Sequence, residues 1–149
     1  MFEKSKAKAI LDHTLIDIQT ISDEFSKLYV HPNVDSIQVE LLYVALSDYF
    51  LFIHQKSKIG DELMKIFVKT RCQNIPENYM IDLYKETHNK IFDTVKSEMR
   101  KTADTELGFF NGIDEVNKYF AELMDIDIND EKIKDILDWI ASSRYKECQ

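Results

Sequence analysis

Between Ile37 and His54 the chain reads Ile-Gln-Val-Glu-Leu-Leu-Tyr-Val-Ala-Leu-Ser-Asp-Tyr-Phe-Leu-Phe-Ile-His, a run that is apolar on nearly every side. A helix of that kind cannot rest on a surface. It must be surrounded by other helices or be completed by a partner subunit. The run approaches the length of a membrane span, but Gln38, Glu40, Ser47 and Asp48 are each costly in lipid, so the expectation is a central packing helix and no membrane partner.

Composition points to the same architecture. The 149 residues include only three Gly and two Pro, and six Ala. Strand-and-turn proteins need Gly, Asn-Gly or Pro at many corners, whereas long helices joined by a few turns do not. With 44% hydrophobic and 31% charged residues, a chain of this length is expected to bury a core without a staple. The prediction is an all-α fold: a single domain over residues 1–149, built as a bundle of about five to six helices around the hydrophobic second one.

Periodicity places the helices. The first runs from about Ser5 to Tyr29, with Leu11, Leu15, Ile18, Ser22, Phe25 and Tyr29 on its inner face, widened by Ile21 and Leu28. Asp12, Asp17, Gln19, Asp23 and Lys27 fall on the wet side. His31-Pro32-Asn33 ends it. The second starts near Asp35, where Asp35 and Gln38 resemble a capping box, and runs to about Lys58, with Gly60 as a left-handed terminator. Asp61 caps a shorter third helix to about Cys72. Asn74, Pro76 and Glu77 announce a fourth to about Lys101, with Met80, Leu83, Tyr84, Thr87, Ile91, Val95 and Met99 inside. Gly108 and Gly112 make 102–112 the longest irregular link, with one of Phe109 and Phe110 plugging the core and the other exposed. A fifth helix covers about Asp114–Asp125. A sixth begins at Asn129 or Asp130, leaving Trp139 off its buried face.

The second helix also carries the most suggestive polar pattern. Glu40, Ser47 and His54 lie seven residues apart, and each step drifts by only about 20° around a helix. Successive members therefore share a face but stand roughly 10 Å apart along the axis. A catalytic triad needs contacts near 3 Å, so these three cannot act on each other. A pocket along this helix, near Glu40, Tyr43, Ser47, Asp48 and His54, would need partners such as His13, Glu86 or His88 from elsewhere.

Other chemistries find no support in the residue pattern, and no catalytic residue is assigned. Neither Glu-x-x-His, His-x-x-x-His nor His-Glu-x-x-His occurs, and Glu86-Thr-His88 splays its side chains about 200° apart on a helix. No metal site and no cofactor is expected. Asp125-Ile-Asp-Ile-Asn-Asp-Glu131 begins like a calcium loop, but Asp130 stands where Gly is needed and Ile136 where a bidentate Glu is needed. Phosphate-loop, Gly-x-Ser-x-Gly and helix-turn-helix signals are missing. Cys72 and Cys148 have no metal or redox spacing, which suggests free thiols in a reducing compartment. The amino terminus lacks an apolar signal region, and the expected location is cytoplasmic.

The net charge of −8 is unevenly spread. Residues 102–138 hold three Lys against eleven acids, whereas 1–101 are nearly balanced at fourteen Lys/Arg against fifteen acids. Scattered basic residues on an acidic chain are not the footprint of a nucleic-acid binder. Aromatic residues are plentiful, and interfaces enrich them. Tyr49, Phe52, Phe109, Phe110 and Trp139 are the candidate interface. The reading that follows is a non-enzymatic interaction or regulatory module that binds a protein partner or itself as a homodimer. The alternatives are a ligand- or cofactor-binding bundle with its pocket on the second helix, and an acidic inhibitor of a basic, nucleic-acid-binding partner.

Overall fold

A computed structural model describes residues 2–28, 37–72 and 74–149, and among them the chain forms six helices and no strand. These are α1 (Phe2–Ser26), α2 (Ile37–Ile53), α3 (Ser57–Arg71), α4 (Glu77–Arg100), α5 (Thr105–Met124) and α6 (Glu131–Glu147). The helix stop at Pro32, the cap at Asp35 and the inward Tyr29 fall outside the described residues.

The order of packing is simple. Helix α2 touches each of the other five, and those five close a ring around it in the order α1, α3, α4, α5, α6 and back to α1. This is the enclosure that an all-round apolar helix requires. Eleven of its seventeen residues are buried, and a fully buried Leu, Val or Phe side chain contributes about 1.5–3 kcal/mol, so the hub is the chief apolar contribution to the fold. The inner faces of the ring follow the sequence: Met80, Tyr84, Ile91 and Val95 of α4, and Ile133, Leu137 and Ile140 of α6, are buried.

Two turns differ from expectation. Helix α2 ends at Ile53, and Gln55, not Gly60, takes the left-handed conformation, with φ 61°. Lys56 N–H donates to Leu51 O (2.8 Å) and Gln55 N–H to Phe52 O (3.0 Å), the bond pair that closes a helix with one left-handed residue. Asp125 (φ 55°) ends α5 in the same way. Gly60 instead lies within α3, which starts at Ser57, ahead of the proposed Asp61 cap.

The expected loop at 102–112 is largely helix. Asp104 caps α5, its carboxylate accepting from Leu107 N–H at 3.1 Å, so Gly108 and Gly112 sit inside the helix. Four residues apart, they share a face, and that face lies against α4. A Cβ at Gly108 would fall 2.7 Å from Met99 Cα, and one at Gly112 2.7 Å from Val95 Cα. The two glycines therefore let the backbones of α4 and α5 approach more closely than any side chain allows. The expectation for the two phenylalanines holds even so: Phe109 packs on the core while Phe110 is exposed.

The ring closes between its first and last helices on a buried ion pair. Arg144, 2% exposed, places Nε and Nη2 each 2.7 Å from Asp17 Oδ2. Its Nη1 donates to Thr14 Oγ1 at 2.9 Å, and Ser143 Oγ donates to Asp17 Oδ2 at 3.1 Å. Asp17, expected on the wet side of α1, is thus buried. It lies next to the Thr14–Ile18–Ile21 face, and an arginine from 127 residues away, with Ser143 beside it, makes that position tolerable.

Two stability measurements follow from these contacts. Gly→Ala inside a helix ordinarily stabilises by about 1 kcal/mol, but Gly112→Ala is expected to lower stability by about 1–3 kcal/mol in urea denaturation, because the methyl must displace backbone. A stabilised variant would mean that α4 and α5 are not in contact there. Arg144→Met is expected to cost about 3–5 kcal/mol by stranding the Asp17 charge. The double variant Asp17→Leu/Arg144→Met should lose less than Arg144→Met alone, and an equal or larger loss would refute the pairing.

Candidate functional site

Glu40, Ser47 and Asp48 of α2, and His54 just past its end, meet different neighbours in the ring. Glu40, at the start of the helix, is held by Arg71 of α3 in a two-pronged ion pair, Nε to Oε2 at 2.7 Å and Nη2 to Oε1 at 2.9 Å. Such fork-to-fork pairing fixes geometry as well as charge. One turn on, Tyr43 stacks on Phe120 of α5 with ring centres 3.6 Å apart. Its hydroxyl has no hydrogen-bond partner, and burial with the nearby Asp17 charge pushes its pKa well up.

Ser47 is fully buried and faces α1. Its Oγ donates to Tyr43 O at 3.2 Å and lies 3.4 Å from Thr14 Oγ1, which in turn donates to Ile10 O. The buried Cys148 thiol donates to Ser47 O at 3.4 Å. Burial pushes that thiol up to about 12, so it carries no thiolate for nucleophilic or metal chemistry near neutral pH. His54 turns towards α6, where its ring meets Tyr145 edge-on at 4.8 Å. Burial, with Lys56 nearby, holds its imidazole below the ordinary value. His13 is on the outer edge of the α1–α6 seam, 2.7 Å from Glu147, and Glu86 is exposed. The expected pocket therefore does not gather Glu40, Tyr43, Ser47 and His54.

One part of it does form. Asp48 and His88 face each other across a cleft of about 290 Å³ between α2, α3 and α4, lined also by Phe52, Asp61 and Tyr84. Asp48 Oδ2 and His88 Nε2 are 4.0 Å apart, close enough for electrostatic attraction but too far for a hydrogen bond. The Tyr84 hydroxyl lies close enough to Asp48 to influence it, yet no aligned hydrogen bond joins them, and both this hydroxyl and His88 Nε2 are buried without a partner. Burial pushes the Asp48 carboxyl up, and the opposing His88 only partly offsets it.

Gly60 makes room for this carboxylate. A Cβ there would collide with Asp48 Oδ1, so the glycine read as a helix terminator leaves the space that the Asp48 carboxylate occupies. Tyr84, Asp61 and Gly60 were not singled out from sequence as site residues. The usable signal was the four-residue spacing of Tyr84 and His88, which puts both on one face of α4.

The candidate interface residues also divide. Tyr49 is buried, and burial pushes its phenol up to about 12, so it belongs to the core and not to an interface. Phe52, Phe110 and Trp139 are 46%, 56% and 51% exposed, and Phe109 is partly covered. Ring contacts run from Phe52 to Phe92 (5.7 Å), Tyr49 (6.3 Å), Phe50 (6.0 Å), Phe109 (6.3 Å) and Phe110 (5.8 Å). Tyr49 thus links the two halves of the run through Phe92 and Phe50, while Trp139 stands outside it.

Among the described residues, no three His, Cys, Asp or Glu side chains come together so as to hold a metal ion, and no described helix is long and apolar enough to cross a membrane. No protein-family model, curated protein or solved structure matches the chain.

The Asp48 carboxyl gives a pH test. Because its pKa is raised in the fold, the folded state holds the proton more firmly than the unfolded chain, whose ordinary value is 3.8. Its effect on stability is therefore most favourable below 3.8 and is lost as pH rises through the folded value. Asp48→Asn should melt above the wild type at pH 7, with the gap closing towards pH 3.8. A variant that melts lower at pH 7 would show that pairing outweighs burial at this position.

Proposed function

We propose that the protein is a non-enzymatic interaction or regulatory module that docks a protein partner, or a second copy of itself, on the apolar surface around Phe52. The observation that carries this reading is a groove of about 830 Å³ at the α2–α3 turn, where Phe2, Phe52, Ile53 and Ile59 meet Lys56 and Lys58. Exposed aromatic side chains are the usual anchors of protein interfaces. Here Phe52 is backed by the ring contacts that lead to Tyr49 and Phe50, so little conformational freedom remains to be lost on docking. Glu3 lines the same groove near Lys58, but the two lysines still leave positive charge in excess, which favours an occupant that carries acids beside an apolar residue. The acid-rich stretch 102–138 of a second copy has that chemistry, with exposed Leu107 and Phe110 on α5.

The acidic-inhibitor reading has less behind it. Glu98, Asp114, Glu115 and Asp138 do border one cleft of about 370 Å³, and burial followed by Asp114 pushes Asp138 up. Lys118 and Lys134 line the same cleft, however, and Lys118 is 2.6 Å from Glu115. The face offered to a basic partner is therefore interrupted.

The docking reading is tested by sedimentation and by a photo-reactive phenylalanine at position 52. The expected result is either self-association at about 100 µM that Phe52→Ser abolishes without lowering the melting temperature, or a discrete cross-linked adduct that Ile53→Ser abolishes. A strict monomer that also gives no adduct from position 52 overturns it.

A further inference from the structure

The Asp48 cleft holds more hydrogen-bonding capacity than the fold uses. Three polar groups from two helices converge there. Asp48 is an acceptor when ionised, Tyr84 Oη has lone pairs free, and His88 Nε2 is an acceptor in the tautomer that carries its proton on Nδ1. Tyr84 is fully buried, and neither its hydroxyl nor His88 Nε2 has a partner. A buried group left in that state costs about 1–3 kcal/mol, so the arrangement is incomplete as it stands. Asp61 adds a second carboxylate, and Lys85 is the one lysine in the lining.

The charge and shape of the lining select the missing group. An anion would face two carboxylates. A neutral ligand would add nothing to the partial offset that His88 gives the Asp48 charge in its largely buried position. A divalent metal would find too few carboxylate or imidazole ligands, since no three such groups are suitably placed among the described residues. A primary ammonium has three N–H donors, matching Asp48, Tyr84 Oη and His88 Nε2 in number. Its alkyl stem would lie along Phe52 and Met64, which line the cleft. At about 290 Å³ the cleft is at the small end for organic ligands.

We propose that the Asp48–Tyr84–His88 cleft is a binding site for an alkylammonium group, borne by a small free amine or by a lysine side chain. Gly60 is part of that site, because it gives Asp48 the space from which to face the cleft. The raised Asp48 carboxyl supports the reading, since a bound cation opposes the burial that raises it.

The test follows the ring signals of His88 and Tyr84 by NMR at pH 7.5 and low salt, titrating the full chain with 1,4-diaminobutane and with N-acetyl-lysine-methylamide. A saturable shift confined to those rings and their neighbours is expected, with a dissociation constant on the order of 1 mM for at least one probe. Response to the diamine alone identifies a free amine as the occupant, and response to the lysine derivative identifies a protein-borne one. Asp48→Asn should weaken binding at least about tenfold and Tyr84→Phe by several-fold, while 1-butanol should not bind. The proposal is overturned if neither amine gives a saturable shift up to about 50 mM, if 1-butanol binds equally well, or if both variants respond as the wild type does. The alanine substitution Gly60→Ala, which displaces the Asp48 carboxylate, supplies an independent check by abolishing the shift.

Discussion

The ring of five helices has two joints that successive helices do not make, α1 against α3 and α6 against α1, and the second spans nearly the whole chain. Helices α3 to α6 each pack beside the next in sequence, but α6 must return to α1, and Arg144 meets Asp17 at that joint. The pair is nearly dry, and burying two charges carries a desolvation penalty that attraction alone does not always overcome. Thr14 and Ser143 supply the additional hydrogen bonds, leaving the guanidinium and carboxylate well partnered. A hydrophobic pair could fill the same space, but it would accept several relative positions of α1 and α6. The ion pair accepts few, and that fixes how the ring closes around α2.

The central helix shows how polar residues persist inside such a ring. Glu40, Ser47, Asp48 and His54 look like one stripe when α2 is drawn alone. In the folded chain each is directed to a separate neighbour: α3, α1, α4 and α6. Asp48 and the buried His54 Nε2 are left with incomplete partnering, and at Asp48 a cleft opens. A stripe of polar residues on a buried helix is therefore a set of local arrangements, and function is to be sought where one of them opens on a cleft.

Much of the architecture was legible in the sequence, because burial on all sides of α2 dictates an enclosing shell, and because Pro76 and Asp130 mark helix starts by local chemistry. The failures have a common cause. Gly108 and Gly112 read as a break, since glycine disfavours helix, whereas tight packing against α4 reverses the preference. Gly60 read as a terminator for the same reason, although it is the Asp48 carboxylate that requires its missing side chain. Asp17 read as a surface acid because its partner is at the far end of the sequence. Local patterns report local geometry; close approach and distant pairing do not appear in them. The candidate site was half legible for that reason. Asp48 and His88 were named together, but Tyr84, Asp61 and Gly60 enter only through packing.

The Asp17–Arg144 joint also bears on how the chain tolerates change in length. It ties together positions 127 apart, so the loop it closes is already long. The entropy of closing a loop grows only logarithmically, about 0.6 kcal/mol for each doubling. Added residues in the 125–130 turn would therefore hardly alter the closure term. The fold is permissive about the length of its connections and strict about two side chains, so variation among sequences that share this ring should accumulate in the turns before it reaches the joint.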